Sequence, residues 1–114
     1  MPYLKLTTNQ SIDKKDVSPL MNQLSTVVAK ETGKPERYVM IELVGDKNML
    51  FAGSDAPTAF IACKSIGLSA AQSKALSMSL CQLLENILKI ASDRVYIEFS
   101  NCPAEYWGWN RSTF

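Results

Sequence analysis

The same order of elements occurs twice in this chain, and that repetition limits the folds open to it. Pro2-Tyr3-Leu4-Lys5-Leu6-Thr7-Thr8 alternates apolar and polar side chains, as a strand with one covered face does. From about Asp16 to Thr32, Val17, Leu20, Met21, Leu24, Val27 and Val28 recur at the spacing of an amphipathic helix. Pro19 is tolerated in its first turn, where backbone N–H groups have no helical partner. Gly33 supplies the left-handed residue that ends the helix, and the β-rich run Tyr38-Val39-Met40-Ile41-Glu42-Leu43-Val44 follows.

The second half repeats this order. Thr58-Ala59-Phe60-Ile61-Ala62-Cys63 reads as a strand, and Ser69-Ala70-Ala71-Gln72 has the form of a capping box. The helix it opens carries Leu76, Leu80, Leu83, Leu84, Ile87 and Leu88 on one face. Val95-Tyr96-Ile97-Glu98-Phe99 closes the half, and Ile97-Glu98-Phe99 echoes Ile41-Glu42-Leu43. The pattern predicts one α/β (α+β) domain over residues 1–114: two pseudo-symmetric βαβ units sharing a four-stranded mixed sheet, with two helices on one face.

Two helices cover only one face of such a sheet. The runs 38–44 and 58–63 are apolar at nearly every position, the pattern of strands buried on both faces. No further element remains to cover the second face, so the chain is expected to be an obligate oligomer. The aromatic tail Tyr106-Trp107-Gly108-Trp109-Asn110 suits the wall of a pocket or an edge strand added to a neighbour.

Composition removes several classes of function. The chain has no histidine, which excludes His-based triads and most catalytic zinc sites. A net charge of +1 without a basic run argues against nucleic acid. No apolar stretch approaches the roughly 20 residues that span a bilayer, and the N-terminus lacks the regions of a signal peptide. A cytoplasmic location is expected. Cys63, Cys81 and Cys102 form no C-x-x-C pair and suit a reducing compartment. Cys63 and Cys81 are expected in the core, and Cys102 in a solvent-facing loop.

Enzymatic chemistry must then come from Pro2, lysine, tyrosine or carboxylates, with no cofactor. A small second residue permits removal of Met1, which would leave Pro2 with a free secondary amine. Among apolar side chains its ammonium form is disfavoured, its pKa falls towards neutrality, and it becomes a usable general base. The alternative is that Pro2 only begins a strand, where its missing N–H costs nothing. Likewise, Lys34 is either a ligand for an anion or a cation favoured at a helix end.

The chain resembles the macrophage migration inhibitory factor family of the tautomerase superfamily over essentially its whole length. The resemblance is carried by Pro2 behind Met1, Thr32-Gly33-Lys34-Pro35, Phe51-Ala52-Gly53-Ser54 and Ser65-Ile66-Gly67. It continues in Asp93-Arg94-Val95-Tyr96-Ile97 and in the ending Gly108-Trp109-Asn110-Arg111-Ser112-Thr113-Phe114. The resemblance implies a homotrimer whose three sheets line an inner barrel, with active sites at the subunit interfaces. It implies keto–enol tautomerisation of α-keto acids such as phenylpyruvate, with Pro2 as the base. Lys34 and the backbone N–H of Ile66 would hold the substrate carboxylate, Tyr96 would come from the adjacent subunit, and Trp109 and Phe114 would form apolar walls. Some animal members also act as secreted cytokines, so the alternative is a non-catalytic, receptor-binding or protein-interaction trimer with a vestigial pocket.

Three residues depart from the well-known mammalian member: Glu98 replaces asparagine, Trp107 replaces valine and Tyr3 replaces methionine. All three are expected at the pocket, making it narrower and more aromatic, with Glu98 either repelling a substrate acid or preferring a different ring substituent. Thr58 and Ile61 stand where the family has a C-x-x-C, so thiol redox chemistry is not expected there.

Overall fold

A computed structural model describes residues 1–114. The first half consists of strand β1 (Tyr3–Thr8), helix α1 (Lys14–Thr32) and strand β2 (Met40–Val44). The second consists of β3 (Ala59–Ser65), α2 (Ala70–Leu88) and β4 (Val95–Asn101). A single 3₁₀ turn precedes the second strand of each half, at Glu36–Tyr38 and at Ser92–Arg94, so the repetition extends into the connections. The four strands form one mixed sheet in the order β2-β1-β3-β4, with β1 parallel to β2, antiparallel to β3, and β3 parallel to β4. Fold class and topology match the sequence expectation.

The core lies between this sheet and the two helices. Leu4 and Leu6 of β1, Ile61 and Cys63 of β3, Leu20, Leu24 and Val28 of α1, and Leu76, Leu80 and Leu84 of α2 are all buried. Burial pushes the Cys63 thiol up to about 11. Helix α1 begins two residues earlier than its apolar stripe, because its first turn faces solvent and shows no apolar spacing. It ends at Gly33 (φ 69°), and α2 opens on the Ser69–Gln72 capping box. Cys81 is half-buried rather than core, and Cys102 is half-buried in a loop with its sulfur at the surface, as expected.

The open face of the sheet corrects one expectation. Strand β3 alternates strictly, with Ala59, Ile61, Cys63 and Ser65 buried and Phe60 and Lys64 exposed. On β2 and β4, Met40, Glu42, Tyr96 and Glu98 are exposed. The uncovered face is thus a mixture of charge and large apolar groups, not a second apolar layer. Apolar runs misled here because Met40, Phe60 and Ala62 occupy outward positions between inward ones.

The tail forms its own hairpin, β5 (Gly108–Trp109) against β6 (Ser112–Thr113). Asn110 (φ 50°) and Arg111 (φ 68°) are both left-handed, as a two-residue hairpin turn with right-handed strand twist requires. The hairpin fixes Trp109 and Phe114 as stacked rings, 5.4 Å apart and 12° from parallel.

Candidate active site

The N-terminal end of β1 opens into a cavity of about 580 Å³ whose wall includes Met1, Pro2, Tyr3, Trp107, Trp109 and Phe114. Each of these arrives for a local reason. Pro2 is buried because it continues the inward-facing row of Leu4 and Leu6, and its carbonyl accepts the Met40 N–H at 2.9 Å. Tyr3 faces the open side, where its phenol donates to the Glu42 carboxylate. That bond, followed by burial, raises the Tyr3 pKa above its ordinary value. The tail hairpin brings Trp109 and Phe114, and both rings meet Tyr38 edge-on at 5.5 and 5.6 Å.

The amine at this end is perturbed. In the chain as it stands the α-amine belongs to Met1, and it donates to the Tyr38 carbonyl at 2.8 Å. Burial first, and the positive charge of Lys34 second, hold its pKa below the ordinary value of 8.0. Lys34 is half-buried and lies outside the cavity wall, reaching this end from the helix side. Its Nζ sits 4.0 Å from where a Cβ on Gly67 would stand. Gly67 (φ 68°) completes the bend Ser65-Ile66-Gly67 that follows β3, so this bend passes close to the end of Lys34.

Pro2, Tyr3, Lys34, Ile66, Trp107, Trp109 and Phe114 therefore gather at one end of the protomer. Tyr96 and Glu98 do not join them. Tyr96 pairs with Phe60, whereas the strand partner of Tyr3 is Lys64, four residues further along β3. At ~3.3 Å per residue this separates the two ends by about 13 Å. The Tyr96 ring is 63% exposed and lies 4.7 Å from Phe51, in a second, mostly apolar hollow of about 340 Å³. Glu98 is exposed on the open face, in register with Ala62.

Further wall residues not anticipated from sequence include Arg37, Tyr38, Val39, Met40, Glu42 and Lys64. For Tyr3, Met40 and Lys64 the register is the missing information, since Tyr3 stands between Met40 of β2 and Lys64 of β3. The polar interruption of an apolar run at Lys64 was the available signal. Arg37 and Tyr38 sit in the 3₁₀ turn after Lys34-Pro35, and the Arg37 guanidinium covers the Tyr38 ring at 4.7 Å.

The whole chain, residues 1–114, matches the family described as macrophage migration inhibitory factor (MIF). The chain belongs to that family. It is 41% identical to the macrophage migration inhibitory factor of Meriones unguiculatus, over 83% of this chain and 84% of that one. It is 40% identical to the homolog from Brugia malayi over 100% of this chain and 99% of the other. Among solved structures, the homologue from Prochlorococcus marinus superposes with a TM-score of 0.92 at 37% identity, covering 98% of both chains. The mixed sheet with helices on one side is thus the fold of the macrophage migration inhibitory factor family. No helix is long and apolar enough to cross a membrane. No group of three His, Cys, Asp or Glu side chains is placed to hold a metal ion.

Proposed function

We propose that this member of the family is a cofactor-independent keto–enol tautomerase of α-keto acids of the phenylpyruvate type, acting through Pro2 after Met1 is removed. The observation that carries this reading is the lowered pKa of the amine at the mouth of the cavity, where burial and Lys34 act together. Removal of Met1 transfers the amine to Pro2, one residue deeper and itself buried, where desolvation again favours the neutral form.

In the proposed reaction Lys34 and the Ile66 N–H hold the substrate carboxylate. The neutral Pro2 nitrogen takes a proton from C3, the C–H electron pair becomes the C2–C3 double bond, the carbonyl π pair moves to the C2 oxygen, and the protonated Pro2 returns that proton to the oxygen, directly or through water. The product is the enol, and the reverse sequence regenerates the ketone. The aromatic walls exclude water, which strengthens the Lys34–carboxylate attraction. The functional unit is a homotrimer, in which the Tyr96 and Glu98 end of one protomer completes the Pro2 end of the next. The separation of those two ends within a protomer supports an interfacial site. Three free cysteines suit work in the reducing cytoplasm.

The deciding experiment is the phenylpyruvate enol assay on protein shown by intact mass to lack Met1. Turnover abolished by an electrophile directed at the N-terminal amine supports Pro2 as the base. Absence of turnover would leave a protein-interaction role as the better account of the fold.

A further inference from the structure

We infer that the cavity selects a 2-oxo acid carrying a second anionic group at its far end, with Lys64 as the anchor for that group. This inference rests on the proposed tautomerase reading for the reacting end of the ligand, but not for the far end.

Two lysines flank residue 2 from opposite sides of the sheet. Lys34 reaches it from the helix side, where its charge already acts on the amine. Lys64 is the cross-strand partner of Tyr3 and projects from the open face, forming part of the same cavity wall as Pro2. One carboxylate satisfies Lys34 only. A ligand with a single charge leaves the exposed second ammonium to solvent, whereas a diacid neutralises both ends. The one carboxylate in the wall is Glu42, which pairs with Lys5, two residues along β1, and accepts the Tyr3 phenol, whereas Lys64 pairs with Tyr3 itself. Glu98 is the next acid on the open face, diagonal to Lys64 through Ala62 and Ser100.

The surroundings fit an extended ligand. Lys64, Trp107 and Gly108 line both the main cavity and an adjoining hollow of about 490 Å³, so Lys64 stands on the ridge between the two. A ring lying along Trp107 would carry a distal carboxylate to that ridge. A 2-oxo acid bearing a carboxylated ring or chain satisfies the lysine pair and the aromatic wall together.

The test compares 3-phenylpropanoate with 3-(4-carboxyphenyl)propanoate, which differ by one carboxylate and lack the ketone, so that binding is read without turnover. Titration of Met1-free protein by tryptophan fluorescence or calorimetry should show the diacid binding roughly two- to fivefold tighter at low salt. In Lys64→Met that ratio should fall to about one, and Lys64→Arg should restore it. Equal affinities in the unaltered protein, or an undiminished ratio in Lys64→Met, would overturn the assignment. If Lys64→Met does not fold, salt provides the second measurement in the unaltered protein. Raising potassium chloride from about 10 to about 300 mM must weaken the diacid more than the monoacid, and equal weakening overturns the assignment. Phenylpyruvate turnover measured on the same samples separates the two readings. A diacid preference without turnover removes the tautomerase and keeps the anchor, and turnover without a diacid preference does the reverse.

Discussion

The α-amine of Met1 donates a hydrogen bond to the Tyr38 carbonyl at 2.8 Å, and Met1 therefore occupies the space directly in front of Pro2. While Met1 is attached the Pro2 nitrogen is an amide, without a basic lone pair. Protein that retains Met1 should fold and assemble normally yet lose at least about 100-fold in phenylpyruvate turnover, the contribution expected of a positioned base. Intact mass and the enol assay on the same preparations check this. Full activity in a fully Met1-retaining sample would remove Pro2 from the mechanism. Pro2→Gly is a sterner companion variant than Pro2→Ala, because it also loosens the strand that holds the amine.

The pH dependence follows from the same amine. Burial and then Lys34 lower the Met1 amine from its ordinary 8.0; if the Pro2 amine released by loss of Met1 meets the same two influences, its neutral, proton-accepting form predominates above a likewise lowered pKa. Activity should rise with pH through that lowered value and then level off. In Lys34→Met one of the two causes is gone, so the rise must move to higher pH while KM for phenylpyruvate increases. A profile unmoved by Lys34→Met would mean that its charge does not reach the reacting amine.

Much of this was legible in the residues, because the fold depends on periodicity and the fold places the site. The stripes of α1 and α2, the capping box at Ser69 and the stop at Gly33 are local signals, and each element formed where they pointed. What stayed hidden depends on contacts between strands. Lys64 and Met40 flank Tyr3 only because β1 lies between β2 and β3 in a particular register. Residues 110–111 form a two-residue turn only because both adopt left-handed φ, and Asn-Arg is a weak advertisement for that. The placement of Tyr96 and Glu98 away from Pro2 is likewise a matter of register.

Glu98 and Trp107 bear on specificity. If Glu98 enters a neighbouring protomer's cavity, Glu98→Asn removes a negative charge from the path of an acid, and kcat/KM for phenylpyruvate should rise several-fold. Trp107→Val should enlarge the cavity and broaden the range of ring sizes accepted, because Trp107 already forms part of its wall. Kinetics with three or four ring-substituted keto acids check both. Unchanged values for Glu98→Asn would keep that side chain out of every site in the assembly.

Assembly gives a separate test. Phe60, Tyr96 and Leu50 expose apolar surface around a hollow that the protomer itself leaves open. Sedimentation or light scattering at low micromolar concentration should return the mass of three chains. A well-folded monomer under those conditions would remove the interfacial site along with the trimer.

Arg94 holds the loop that positions Tyr96, and its loss should be felt at a distance from the cavity. Its Nε donates to the Pro57 carbonyl at 2.9 Å, and Nη1 donates to Phe51 at 3.2 Å. Its Nη2 donates to Ser54 at 3.0 Å and Ala56 at 3.1 Å. The guanidinium also lies 5.3 Å from the Phe51 ring, which in turn packs on Tyr96. A planar fork with donors on three nitrogens can satisfy these four carbonyls at once, and an ammonium cannot. Arg94→Lys should therefore cost about 2 kcal/mol, the range for one or two charged hydrogen bonds lost from a half-buried site. At fixed protein concentration that corresponds to a drop of roughly 10 °C in Tm for a domain of this size. If Tyr96 completes a neighbour's cavity, KM for phenylpyruvate should rise in the same variant while its pH profile stays in place, since Arg94 does not touch the amine. A shifted profile would instead mean that the loop and the base are coupled through the sheet.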